Sequence, residues 1–302
     1  MPTAPLPVRD GLNPTRLRLP RAGMWPTALA YLLDRFPTDT VRLREKVESG
    51  EVVDEHGTPI DATSPFRPHG FLYLYRDPPV EKRVPFEIDV LYRDENLLVV
   101  DKPHFLATTP RGAYVAESAL VRLRRDLDLP ELVPAHRLDR VTAGVLIFTV
   151  RPPVRRAYQS LFDARLVTKV YEALAPHDPT LSLPRTVRSR IVKERGVLQA
   201  REVSGEPNAE SRIELLETID GTIGRYRLSP RTGKTHQLRL HMSSLGVPIL
   251  GDNFYPVVRD VAPDDYRAPL QLLARSIAFD DPFTGEHRRF ESRRRLTPPP
   301  AG

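Results

Sequence analysis

The chain has 302 residues and a formal net charge of +6, enough length for one large domain plus a small one and a balance that suits a partner carrying phosphates. It contains no cysteine, which excludes disulfides, thiolate metal sites and the cysteine-ligated zinc deaminases of nucleobases. No apolar run approaches bilayer length, and the N-terminus carries prolines and charges where a signal peptide needs an apolar core, so no membrane partner and a cytoplasmic residence are expected.

Residues 1–23 interleave Pro2, Pro5, Pro7, Pro14 and Pro20 with Arg16, Arg18 and Arg21, have no apolar period, and read as an extended basic arm. From 24 to 78 a small α+β unit is expected. Leu29, Leu32, Leu33 and Phe36 fall at helical spacing before Pro37, and a second helix from Val41 to Ser49 carries Arg42, Arg44 and Lys46 before Gly50. A turn at Glu55-His56-Gly57 and an aromatic alternation over Phe71 to Tyr75 complete it. Residues 79–85 read as a proline-bearing linker and 292–302 as a basic, Pro-rich tail.

Between them, 86–291 form one domain. Strands are expected over Phe86 to Tyr92 and Asn96 to Asp101, a loop over Thr108 to Gly112, a helix through Leu120, Leu123 and Leu127, and a buried strand from Val145. Val154, Tyr158, Leu161, Phe162 and Leu166 mark a further helix that leads to a strand at Tyr171. Residues 176–210, rich in Pro and Arg, suggest short strands and loops; Ile213 to Glu217 and Arg225 to Ser229 suggest two more strands. A helix beginning near Gly233 ends at Gly246, and a last strand pair near Gln271 to Phe279 and Arg288 to Glu291 turns at Asp281 to Gly285. This order fits an α+β domain with a mixed, mainly antiparallel sheet and packed helices, not a doubly wound one.

Chemistry gathers at His136-Arg137-Leu138-Asp139-Arg140-Val141-Thr142-Ala143-Gly144, where a carboxylate flanked by arginines feeds a buried strand. Such a charge is costly unless it has a task, although an isolated Arg-x-Asp-Arg is more often a turn cap. His136, His236 and His241 lack His-x-x-x-His spacing and an acidic ligand motif, so no metal site is expected. Gly233-Lys234-Thr235 resembles the end of a phosphate loop, but Leu228 stands where its first glycine is required.

Four segments in order carry a resemblance to the RluA-type pseudouridine synthases: Leu97 to Pro103, His136 to Gly144, Lys169 to Ala173, and Arg231 to His241 continuing to Asp252. The resemblance implies an RNA uridine isomerase that needs no cofactor. It makes 86–291 the catalytic domain and 24–78 similar to a divergent ribosomal-protein-type RNA-binding module. It implies that Asp139 is catalytic, that Arg239 pairs with it, and that Tyr171 stacks on uracil and serves as general base. Arg137 would fill the space left by a flipped base. His136, Arg140, Thr142, Lys169, Arg231, Lys234, His236 and Gln237 are the accompanying candidates for contact with RNA. The implied partner is structured RNA, large-subunit ribosomal RNA before transfer RNA; the sequence shows no zipper or repeat, so a monomer is expected. A silent RNA-binding or ribosome-assembly protein on the same fold is the competing reading. A glycosidase would need a second carboxylate near Asp139, and the distant acidic candidate Asp252 reads as a turn residue.

Overall fold

A computed structural model describes residues 4–77 and 80–298 and divides into two compact units between Val80 and Glu81. In the smaller unit β1 (Thr15–Arg18), α1 (Ala28–Arg35), α2 (Thr40–Glu48), β2 (Val53–Asp54) and β3 (Phe71–Leu74) follow one another, and the strands form a three-stranded antiparallel sheet in the order β1-β3-β2. Thr27 caps α1 by accepting from the Ala30 N–H, and Leu29 and Leu32 of α1 pack with Leu43 and Val47 of α2 over Leu72 and Leu74.

The expected basic arm at 1–23 is corrected here: residues 1–3 lie outside the described ones, but Thr15–Arg18 is a strand and Leu19 is buried. Alternate residues of β1 turn inward while Arg16 lies over the Phe71 ring, so arginines spaced by two served a strand edge and hid its period. On α2, two of three cations are spent within the unit. Arg42 bonds Asp77 and Glu45, and buried Lys46 bonds Asp77 and the Tyr75 carbonyl. Arg44 remains exposed.

In the larger unit the elements are β4 (Asp89–Arg93), β5 (Leu97–Lys102), α3 (Ala119–Asp126), β6 (Val133–Pro134), β7 (Ala143–Thr149), α4 (Arg155–Asp163) and β8 (Thr168–Pro176). They continue with β9 (Arg185–Val192), β10 (Arg201–Val203), β11 (Ala209–Ile219), β12 (Ile223–Pro230), α5 (Gln237–Ser244), β13 (Leu272–Asp280) and β14 (His287–Glu291). One eleven-stranded sheet runs β10-β9-β11-β12-β8-β13-β7-β5-β4, with β14 on β13 and β6 on β7. Among the described residues every pair is antiparallel except β7 with β13.

β5 and β7 read as continuous apolar runs because both their faces are covered. Leu98, Val100, Leu146 and Phe148 meet Leu120 and Leu123 of α3, while Leu97, Val99, Val145 and Ile147 meet Tyr158 of α4. Leu238 and Met242 of α5 cover the other half of the sheet over Ala173, Ile213, Tyr226 and Leu228. Region 176–210 holds an eight-residue strand, longer than expected, because the outward arginines 185, 188 and 190 obscure its alternation. The helix expected to reach Leu166 stops at Asp163, and Arg165 at φ 59° turns the chain.

Neither flank of this domain is loose. Of the expected linker at 79–85, Pro79 lies outside the described residues, but Glu81 accepts the Val115, Ala116 and Glu117 N–H groups and Val84 is buried. Of the tail at 292–302, residues 299–302 lie outside the described ones. Ser292 and the N–H of Arg293 bond the fully buried Asp101, and Leu296 joins a core cluster.

Gly144 is required where β7 meets β13. Its φ is +114°, and a Cβ there would stand 2.2 Å from the Ala274 carbonyl oxygen. Gly144→Ala is therefore expected to cost about 4 kcal/mol or more, the range reserved for backbone clashes in a core. Soluble yield and thermal unfolding read this out; a soluble variant melting within a few degrees of the parent would contradict it.

Candidate active site

Asp139 lies on the turn between β6 and β7, and its backbone neighbours are held by side chains from a segment thirty or more residues earlier. The Thr108 hydroxyl donates to the Leu138 carbonyl at 2.7 Å and accepts from the Leu138 N–H at 3.1 Å. The ammonium of Lys102, fully buried, donates to the carbonyls of Pro103, Leu106 and Arg140 at 2.8, 2.8 and 3.3 Å. His104 Nδ1 lies 2.8 Å from the Val141 carbonyl, and the Asp139 carbonyl accepts from the Thr142 N–H. The four carbonyls from Leu138 to Val141 thus all have donors, so the turn is preorganised. Burial lowers the pKa of Lys102 well below the usual lysine value, against which the charge of Asp139 works. His104 is pushed down to about 4 by burial, leaving Nδ1–H as donor to Val141.

The Asp139 side chain is 34% exposed and faces two cations or near-cations of α5 and its approach. Arg239 Nη1 lies 3.7 Å and His236 Nε2 3.9 Å from Asp139 Oδ2. Both distances exceed a hydrogen bond. The expected Arg239–Asp139 pair is thus present as a charge contact without a hydrogen bond. Arg239, 1% exposed, instead makes a two-pronged bond to buried Asp252, Nε to Oδ2 at 2.8 Å and Nη2 to Oδ1 at 2.6 Å, and offers only its third nitrogen to Asp139. Phe254 and Tyr255 flank the guanidinium at 4.9 and 5.5 Å, and their N–H groups also bond Asp252 Oδ1. Asp252 is more than the turn residue its sequence context suggested: it neutralises Arg239 and aims it.

His236 precedes α5 in the left-handed region, φ 58°, so the helix starts at Gln237 and not near Gly233. Its ring lies against Phe254 and Tyr255, with Nδ1 3.1 Å from the Tyr255 hydroxyl. Burial lowers its pKa, and Asp139 offsets part of that effect. Tyr171 on β8 packs between two core clusters, and among the described residues its hydroxyl has no hydrogen-bond partner. Burial first and the charge of Asp139 second raise its pKa above the ordinary tyrosine value, so it stays a neutral phenol near pH 7.

The accompanying candidates separate. Arg137 is exposed and unpaired among the described residues, two positions before Asp139, and Lys234 is likewise exposed. Arg231 is exposed, 3.8 Å from Glu210. Lys169 donates to the Thr232 carbonyl and its pKa is lowered by burial. Four others serve the fold. The His136 ring stacks on Phe162 and accepts from the Ile147 N–H. Arg140 lies over the Tyr114 ring at 4.7 Å, and Thr142 is buried. Gln237 spends its amide on Thr232, Lys234, Glu210 and Ser211. A buried polar group must have such partners, and this need outweighs any exposed role.

The geometry can support charge separation: one carboxylate, with a guanidinium 3.7 Å and an imidazole 3.9 Å from it and a buried phenol that feels its charge. Comparisons with known proteins agree in kind. A family profile described as RNA pseudouridylate synthase matches residues 96–244. The dual-specificity RNA pseudouridine synthase RluA of Haemophilus influenzae is 32% identical over 225 residues, 72% of this chain and 96% of that protein. RluA of Escherichia coli is 32% identical over 217 residues, 67% and 91% of the two chains. Human RNA pseudouridylate synthase domain containing 4 has a similar structure, TM-score 0.54 at 25% identity, over 69% of this chain and 88% of that one.

Proposed function

Because the chain belongs to the RNA pseudouridylate synthase family, we propose that Asp139 drives uridine isomerisation in a large structured RNA, ribosomal RNA of the large subunit first and transfer RNA second. The reaction cuts the bond between uracil N1 and ribose C1′, turns the base and rejoins it through C5. No atom enters or leaves, so the residues must supply charge, proton transfer and a pocket that keeps the freed base in place. The observation that carries the reading is the one-third exposed Asp139 on a fully hydrogen-bonded turn, with Arg239 and His236 3.7 and 3.9 Å from its carboxylate and the buried Tyr171 phenol feeling its charge.

In this reading Asp139 supplies negative charge to the sugar as the N1–C1′ bond breaks. Arg239, already neutralised by Asp252, steadies Asp139 without cancelling it. Tyr171 offers its ring to the uracil and its hydroxyl as a donor; its raised pKa argues against a phenolate base. Arg137, exposed and unpaired, is placed to enter the stack when the nucleotide leaves, offsetting part of an unstacking cost of ~a few kcal/mol. The RluA relatives are named dual-specificity RNA pseudouridine synthases, which supports testing more than one class of RNA as substrate.

A chemical map of pseudouridine across the ribosomal and transfer RNAs of the host tests this, with the gene intact, deleted, or carrying Asp139→Ala. The same site or sites should vanish in both altered strains. An unchanged map would refute the proposal.

A further inference from the structure

The hydrogen bonds around His236 determine which of its ring nitrogens is bare. The Tyr255 hydroxyl accepts from the Ala200 N–H at 2.7 Å and donates to the Ala200 carbonyl at 2.9 Å. A phenol has one hydrogen, and here it goes to that carbonyl. Only a lone pair is left to face His236 Nδ1 at 3.1 Å. Nδ1 must therefore carry the ring hydrogen and donate it to Tyr255, and in the neutral imidazole Nε2 is then a lone-pair nitrogen.

That bare nitrogen faces Asp139 Oδ2 at 3.9 Å. Two acceptors look into the same space, an unfavourable pairing unless a group with a proton to give enters between them. The backbone points the same way. His236 holds a left-handed conformation, φ 58°, that a β-carbon disfavours, yet its side chain caps no N–H of α5. The strain therefore buys ring placement, not helix stability. Phe254 and Tyr255 fix the ring plane from two sides.

Uridine isomerisation, on which this inference rests, has a step that needs such a group. Once C1′ is joined to C5, that carbon bears both the sugar and its original hydrogen. The C5–H bond must break, its electron pair restores the C5=C6 double bond, the C6=N1 π pair moves onto N1, and N1 takes up a proton. We propose that His236 Nε2 receives the C5 proton and is the source from which N1 is reprotonated. Burial keeps His236 neutral near pH 7, as an acceptor must be, while Tyr171 remains protonated and Asp139 is occupied beside the sugar.

His236→Gly is the suitable variant, because glycine takes φ 58° without strain and no capping bond is lost. The assay is release of tritium from ribosomal and transfer RNA labelled with [5-³H]uridine and isolated from a host lacking the gene. The variant should release tritium about 10²- to 10³-fold more slowly than the parent while still unfolding cooperatively, its melting temperature lowered only by the lost ring contacts with Phe254 and Tyr255. Added imidazole should restore part of the rate, and substituted imidazoles should restore more as their basicity rises. The ¹⁵N spectrum of the parent enzyme should show His236 protonated at Nδ1. A variant within threefold of the parent, a loss that no imidazole relieves, or a hydrogen on Nε2 would each overturn the assignment. If the parent itself released no tritium from either RNA, the isomerase reading would fall instead.

Discussion

Asp139→Asn should lower pseudouridine formation by about 10⁴-fold or more while leaving folding and RNA affinity nearly intact, since losing one member of a catalytic unit has costs of this order. The two halves of this expectation have separate causes. The amide keeps the shape of the carboxylate but cannot hold the negative charge that the breaking glycosidic bond requires. Stability survives because, among the described residues, the Asp139 side chain makes no hydrogen bond, and the turn is held through backbone groups, by Thr108, Lys102 and His104. Nor does the change strand a cation: Arg239 keeps both bonds to Asp252. Single-turnover conversion of host ribosomal and transfer RNA, beside a binding titration and a melting curve, separates the two. Product at the parental rate would remove Asp139 from the chemistry.

The largest loss of stability within the site is expected from Asp252→Ala. Arg239 would then sit 1% exposed with two strong bonds gone, and the N–H groups of Phe254 and Tyr255 would lose their acceptor. Removing one partner of a buried ion pair costs about 3–5 kcal/mol, because the remaining charge is unpaired in a low dielectric. For a domain of this size that corresponds to a fall in melting temperature of roughly 6–20 °C. Replacing both partners with apolar residues, Arg239→Met with Asp252→Leu, should recover most of the stability and none of the activity. Thermal unfolding of the two single variants and the double variant checks this; an Asp252→Ala protein that melts with the parent would show that the pair is not what holds the site.

Much of the fold was legible because period reports burial. The runs Leu97–Val100 and Val145–Thr149 announce strands covered on both faces, and Leu120, Leu123, Tyr158 and Leu238 announce the helices that cover them. What escaped has another physical origin. Lys102, His104 and Thr108 act by bonding backbone carbonyls and N–H groups some thirty to forty positions away, and such bonds leave no periodic trace. Asp252 sits in a turn, as its Gly-Asp setting suggests, yet its partner Arg239 lies thirteen residues earlier on a helix. His136, Thr142 and Gln237 stand inside the signature segments but face inward, so membership of a signature segment overstated their access to a ligand.

The parallel pairing of β7 with β13 also constrains how the protein is made. At synthesis rates of about 5–20 residues per second, roughly 6–25 s separate the emergence of β7 from that of β13. During that interval β7 can pair with β5 along one edge, as far as Gly144, and with the short β6 at its far end, but the opposite edge at Ala143 and Gly144, close to Asp139, still lacks its β13 partner. That apolar edge is a target for holding chaperones and for aggregation in the nascent chain. The active-site turn would thus be among the last features completed, and no nascent fragment ending before β13 would carry a finished site.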